Sequence, residues 1–424
     1  MRKIIFLLLF WNCTATIYSQ ADKVTIDQSK SGFKLKVNGQ DFIVNGMNWD
    51  YFPIGKNYTY ILWEQPEDII KKALDNEMTL LKNMGVNTIR VYTGIPKKWI
   101  EYIYNNYGIH TMLNHPFGRY GLSINGTWVA NTEYSSPNTH EVLLKEVKQL
   151  ASDYKDTKGL LLFLLGNENN YGLFWGGAET EDIPVQDRKS TVRAQALYQL
   201  FNEAAVVMKT IDNSLLIAIC NGDLLFLDLI AKECPDVDVF GINVYRGISF
   251  GDVFERVKKE YAKPVLFTEF GSDAFNAITN KEDQNAQAII LKGNWKEIYE
   301  NAAGIGKIGN CIGGFTFQFS DGWWKTGQTI NLDIHDSSAS WGNGGYVFDF
   351  EKGKNNMNEE WFGICAKGPT TENGLYQLQP RSAYYMLKKV HRLNPYTNSN
   401  SLEKLKNNFD KIKVIETSKK GKIQ

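Results

Sequence analysis

Two glutamates close apolar, β-rich runs. Glu168 lies in Leu165-Gly166-Asn167-Glu168-Asn169, and Glu269 in Val265-Leu266-Phe267-Thr268-Glu269-Phe270-Gly271. A carboxylate at the mouth of an apolar strand is costly unless it is solvated, paired or put to use. One glutamate at a strand end is common and says little. Two can divide the cleavage of an acetal between them. The protonated one gives its proton to the leaving oxygen, and the ionised one attacks the anomeric carbon. That division needs the carboxyl groups about 5–5.5 Å apart. Like charges held so close raise one pKa, which keeps the acid protonated.

Positioning such a pair is the task of the elements around it. The sequence holds eight short β-rich runs, at 42–50, 86–93, 109–117, 159–168, 215–223, 237–245, 264–271 and 312–321. Helical segments lie between them. The segment 66–84 carries Ile69, Ile70, Ala73, Leu74, Met78 and Leu81 on one face, and 139–154 and 191–211 are similar. Thr279 with Glu282 reads as a capping box opening a helix towards Ala303. Strands alternating with helices imply a parallel sheet, and eight such units favour an α/β fold of the closed (β/α)8 TIM-barrel type. An open doubly wound sheet is the alternative, without a glycine-rich dinucleotide turn to support it. Glu168 then falls on the fourth strand and Glu269 on the seventh, facing each other across the barrel mouth. Phe33, Leu35 and Val37 before Asn38-Gly39, with Phe42 and Val44 after, predict a short N-terminal β-hairpin that closes the bottom. Two insertions are long: 171–190, and 325–379 after strand eight, the latter with Trp341 and Trp361. The helix 381–392 reads as the last of the barrel.

The pattern resembles glycoside hydrolase clan A, with Asn167-Glu168 at strand four and Glu269 at strand seven. It looks most like the catalytic TIM barrel of glycoside hydrolase family 2, in Gly166-Asn167-Glu168 and Thr268-Glu269-Phe270-Gly271, over residues 33–393. The resemblance implies a retaining hydrolase of O-glycosidic bonds in β-linked oligo- or polysaccharides, with Glu168 as acid/base and Glu269 as nucleophile. It further implies that Arg90, in Thr88-Ile89-Arg90-Val91-Tyr92, holds the nucleophile ionised. Tyr245, in Gly241-Ile242-Asn243-Val244-Tyr245, would hydrogen-bond the nucleophile; a core tyrosine is the other reading. Asn167 would donate to the sugar 2-hydroxyl. One tryptophan of Trp323-Trp324, with Trp323 taken here, would floor the sugar. Trp49 and His115 fall at the same rim, His115 being equally suited to a structural hydrogen bond. The clan's chemistry needs no metal and no cofactor. Family 2 chains usually carry β-sandwich domains before the barrel, and none is read here, so the substrate stays open across the clan. A transglycosylase on the same site and a non-catalytic carbohydrate-binding barrel are the alternatives.

Composition narrows the partners. Lys+Arg and Asp+Glu balance at 47 each, so nothing favours a nucleic acid. Arg2, Lys3 and the apolar run 4–11 read as a signal peptide over residues 1–20, cut near Ser19 or Gln20. A secreted or periplasmic protein with no membrane span in its mature form is expected, its catalytic domain over 21–393 and a polar tail over 394–424. Cys220, Cys234, Cys311 and Cys365 match no zinc or redox spacing. A Cys220–Cys234 disulfide and buried free thiols are both open.

Overall fold

The computed structural model describes residues 21–414 apart from 93, 174–190, 326 and 398–399. The expected signal peptide, most of the first insertion and the end of the tail fall outside these residues.

All eight runs form strands: β1 (Val44–Asn48), β2 (Thr88–Val91), β3 (His110–His115), β4 (Leu160–Leu165), β5 (Ile217–Gly222), β6 (Val239–Asn243), β7 (Val265–Gly271) and β8 (Cys311–Phe317). They make one closed barrel in chain order, with β8 pairing in parallel to β1. The helices between them include α1 (Glu67–Met84), α2 (Lys97–Tyr107), α3 (Pro137–Tyr154), α4 (Thr191–Lys209), α5 (Leu227–Glu233), α6 (Val253–Glu260), α7 (Gln284–Glu300) and α8 (Ser382–Val390). The strands are apolar on both faces because each face meets a different core. Val44, Met112, Leu162, Leu164, Ala218, Val239, Leu266 and Phe315 fill the barrel interior. Residues of opposite phase, such as Ile89, Leu113, Phe163 and Ile219, pack under the helices. The hairpin forms where expected, with Gly32–Val37 and Gln40–Phe42 flanking Asn38 and Gly39 at φ 51° and 80°. A further strand, Val24–Ser29, joins it, and Leu35 and Val37 enter the interior core at the N-terminal ends of the strands.

Several local expectations need correction. The cap of α7 is Asp283, whose side chain accepts from the Ala286 amide. Thr279 instead donates its amide to Asn276, and Glu282 pairs with Arg381 at 2.8 Å. The stretch after β8 is ordered, with the hairpin Cys365–Thr370 and Tyr376–Pro380. The fully buried Arg381 anchors it, donating to both Asp321 carboxylate oxygens at 2.6 and 2.8 Å. Cys220 and Cys234 form no disulfide; Cys220, Cys234, Cys311 and Cys365 are all free and buried. Among the described residues no helix is long and apolar enough to cross a membrane.

The polar tail is also more than a tail. It contains α9 (Leu402–Lys411), opened by a Ser401 side chain that accepts from the Lys404 amide. Leu405 and Phe409 are fully buried, and Phe409 meets the Tyr299 ring edge-on at 5.9 Å. Leu402, Leu405, Phe409 and Ile412 recur at helical spacing inside a Lys- and Asn-rich composition that hides them. Phe409→Ala is expected to destabilise the protein by about 3–5 kcal/mol. A denaturant titration checks this; a loss under about 1 kcal/mol would mean that α9 does not dock in solution.

Candidate active site

Side chains two apart on a strand share a face. Arg90 and Tyr92 therefore point together into the barrel mouth, as do Asn243 and Tyr245 from the end of β6. Arg90 is fully buried. Its guanidinium donates to Glu269 Oε1 at 2.9 Å, to the Thr268 carbonyl at 3.1 Å and to Asn167 Oδ1 at 2.8 Å. It also meets Asn114 Oδ1 through two nitrogens, at 3.0 and 2.8 Å. A buried cation needs this many partners, because each N–H left bare would carry an uncompensated desolvation cost.

Glu269 is 7% exposed. Besides Arg90 it accepts from the Tyr92 hydroxyl on Oε1 and from the Tyr245 hydroxyl on Oε2 at 2.9 Å. Burial, with the Glu269 carboxylate adding, holds the Tyr245 hydroxyl well above its usual range, so it stays a donor. Three donors aimed at one carboxyl group suit an acceptor-only carboxylate.

Glu168 meets the opposite environment. Its backbone sits at φ +55°, in the left-handed region that non-glycine residues seldom occupy. Its amide donates to the Cys220 carbonyl at 3.1 Å, and its carbonyl accepts from Tyr171 at 3.0 Å, which hold that conformation. Its carboxylate accepts from Asn243 Nδ2 at 3.0 Å. Burial, and then the charge of Glu269, push the Glu168 carboxyl up to about 7, against Asn243, Arg119 and Arg90. Asn167 beside it has a settled amide orientation. Its oxygen accepts from Arg90 and from Asn243 Nδ2 at 3.2 Å, and its NH2 donates to the Tyr120 hydroxyl at 3.0 Å.

The other expected residues are placed differently. Trp49 is buried at 1% exposure and donates Nε1 to Glu77 at 2.5 Å, with its ring 6.2 Å from Trp63. It belongs to the layer under α1, not to the rim, because it follows the inward-facing Asn48 by one residue. His115 likewise follows the inward-facing Asn114. It accepts from the Phe117 amide and lies 3.4 Å from Glu146, which is the structural role. Trp323 stacks on His335 at 4.6 Å, and His335 on Trp361 at 3.8 Å. The rings beside Tyr245 are Phe317, Trp341 and Phe362.

Sequence reasoning missed Tyr92 and Asn243, although each lies two residues from a residue it did select, and that spacing was the available signal. It also missed Asn114, Tyr120 and Glu359, and it named Trp341 only as part of the long insertion after strand eight. Burial raises the Glu359 carboxyl, with Lys325 opposing and Glu269 reinforcing. Tyr120, Trp341 and Glu359 come from loops, where no periodicity reveals which way a side chain faces. Among the described residues no group of His, Cys, Asp or Glu could hold a metal ion.

The sequence matches no protein-family model and no curated protein. Solved structures do match in fold. The β-glucuronidase of Bacteroides uniformis superposes with a TM-score of 0.56 at 12% identity, over 88% of this chain and 37% of that one. A family 2 β-galacturonidase from Eisenbergiella tayi, bound to galacturonate, gives 0.53 at 13% identity, over 89% and 55%. The β-glucuronidase of Ruminococcus gnavus, in complex with D-glucuronic acid, gives 0.52 at 15% identity, over 87% and 52%. The chain thus spans about half the length, or less, of the structures it matches, and shares with them a TIM-barrel fold like that of family 2.

The raised Glu168 fixes the sign of a pH effect. With Glu168 in the proton-donor role proposed below, a group raised to about 7 is competent below that pH and lost above it, so kcat/KM should fall as pH rises through about 7. Glu168→Gln, assayed on a substrate with a good leaving group, should lose this basic limb. A limb that persists at the same midpoint would assign it to another group.

Proposed function

We propose that the chain is a retaining β-glycoside hydrolase that acts by double displacement on β-linked oligo- or polysaccharides. The observation that carries this reading is the contrast between two carboxyl groups at one barrel mouth. Glu269 accepts from Arg90, Tyr92 and Tyr245, while Glu168 is driven towards its protonated form. The likeness to family 2 glycosidase structures supports it as a likeness of fold.

In the first step a Glu269 oxygen attacks the anomeric carbon. The bond to the leaving oxygen breaks as Glu168 gives that oxygen its proton. In the second step Glu168, now ionised, takes a proton from water, whose oxygen attacks the same carbon and releases Glu269. Two inversions return the β configuration. Retention requires the carboxyl groups to work about 5–5.5 Å apart. Arg90 keeps the nucleophile charged and oriented, and Tyr245 and Tyr92 bracket it. Asn167, whose NH2 gives one N–H to Tyr120, is proposed to give the other to the sugar 2-hydroxyl. With its apolar run behind Arg2 and Lys3, the protein is proposed to work outside the cytoplasm, secreted or periplasmic.

Glu269→Gln should abolish turnover and leave the fold intact. Proton NMR of the first wild-type product should show the β anomer before mutarotation. More than a few per cent residual activity in the variant, or an α first product, would refute the double displacement.

Glu168→Ala should retain glycosylation best on substrates with good leaving groups. Added azide should then restore turnover and yield a β-glycosyl azide. A folded variant that azide does not rescue would argue against Glu168 as acid/base.

A further inference from the structure

The loop after β3 carries a small hairpin, Leu122–Ile124 paired with Thr127–Val129, turning at Asn125 and Gly126 with φ 50° and 78°. Two aromatic rings on this loop are open to solvent: Tyr120 at 57% exposure and Trp128 at 64%. Single exposed aromatics need no explanation, but these two are built in and adjacent. The Trp128 ring lies over Gly121, the residue next to Tyr120. A Cβ at Gly121 would stand 2.6 Å from that ring, and its φ of +102° also suits glycine. Tyr120 is tied to the catalytic strand: its hydroxyl accepts from Asn167 Nδ2 at 3.0 Å. Arg119 donates to the Asn167 carbonyl at 3.1 Å and sets its guanidinium 5.6 Å from the Tyr120 ring centroid. The hydroxyl end of Tyr120 is thus anchored beside Glu168, while its ring faces outward.

This placement has a direction, given the proposed role of Glu168, on which the inference rests. The acid/base delivers its proton to the leaving oxygen, so the leaving group lies on its side of the scissile bond. Beyond Asn167 on that side, the loop offers two flat apolar faces. A β-linked pyranose presents C–H groups on its faces and hydroxyls at its edge, which matches an aromatic ring backed by a polar rim. We infer that Tyr120 and Trp128 form a leaving-group platform for successive sugar residues, and hence that the substrate is a β-linked glycan with sugar on both sides of the cut bond. A glycoside whose leaving group is a small non-sugar would leave the platform unused.

The test compares substrates within one protein. The probes are gluco-, manno-, galacto- and xylo-tetrasaccharides with β-1,4 links and the aryl β-glycosides of the same sugars. Wild type should show a higher kcat/KM on one tetrasaccharide than on its aryl glycoside of matched leaving-group acidity. Trp128→Ala should lower the ratio of those two values by about three- to tenfold, the worth of one stacking contact. Trp128→Phe, which keeps a ring, should restore most of it. An exposed residue is suited to this substitution, and the unfolding midpoint checks that the fold is kept. A ratio unchanged in Trp128→Ala, or a wild type that turns over aryl glycosides and ignores every tetrasaccharide, would overturn the platform and leave the hydrolase reading standing. Turnover of neither kind of substrate would overturn the hydrolase reading, and the platform with it.

Discussion

The Arg90 guanidinium is the contact on which the barrel mouth depends. It is a full charge with no access to water, and an unpaired charge in that position costs several kcal/mol or more. Its partners come from three parts of the chain: Asn114 on β3, Asn167 beyond β4, and the Thr268 carbonyl and Glu269 carboxylate on β7. Satisfying one cation therefore ties β2 to its neighbour on one side and to the opposite wall. The same contacts settle where the Glu269 charge sits and which way the Asn167 amide turns. Geometry that must be accurate for chemistry is here enforced by electrostatics that must be satisfied for folding.

Around that centre the two glutamates are differentiated by their hydrogen-bond partners. Glu269 meets a cation and two hydroxyl donors. Glu168 meets one amide and the field of Glu269, on a backbone held at positive φ. Two identical side chains thus stand in contrasting environments at one barrel mouth, the kind of contrast that an acid–base division uses. The arrangement is economical in residues, since Asn243 serves Glu168 and Asn167 together while Thr268 orients it at 2.7 Å.

Likeness of fold and likeness of sequence separate here. The structures it resembles share 12–15% identity with this chain. What they share is the TIM-barrel fold, in which this chain's eight strands close in order. In this chain, loops bring further rings to the mouth: the stretch after β8 brings Trp341 and Phe362 to Tyr245, and the hairpin after β3 presents Tyr120 and Trp128. In such barrels the scaffold carries the site, while the residues at the strand ends and on the loops decide its chemistry.

The sequence by itself determined the eight strands, most of the helices between them, the Asn38-Gly39 turn and the two glutamates at their strand ends. These are local: a period of two or 3.6, a turn dipeptide, or a polar residue closing an apolar run is written in adjacent positions. It also held Arg90, because an arginine inside an apolar strand demands a partner, while Tyr245 was legible only through the family resemblance. Tertiary structure alone decided who those partners are, and which residues of the rim face inward. Asn48 and Asn114 point into the barrel, while Trp49 and His115, one residue further on, turn away from it. That phase follows from the register of each strand against neighbours distant in the chain, as where Asn48 meets the Phe315 carbonyl 267 positions away. Loop side chains such as Trp341 and Tyr120 have no phase to read at all. Their direction is set by what they pack against once the barrel has closed.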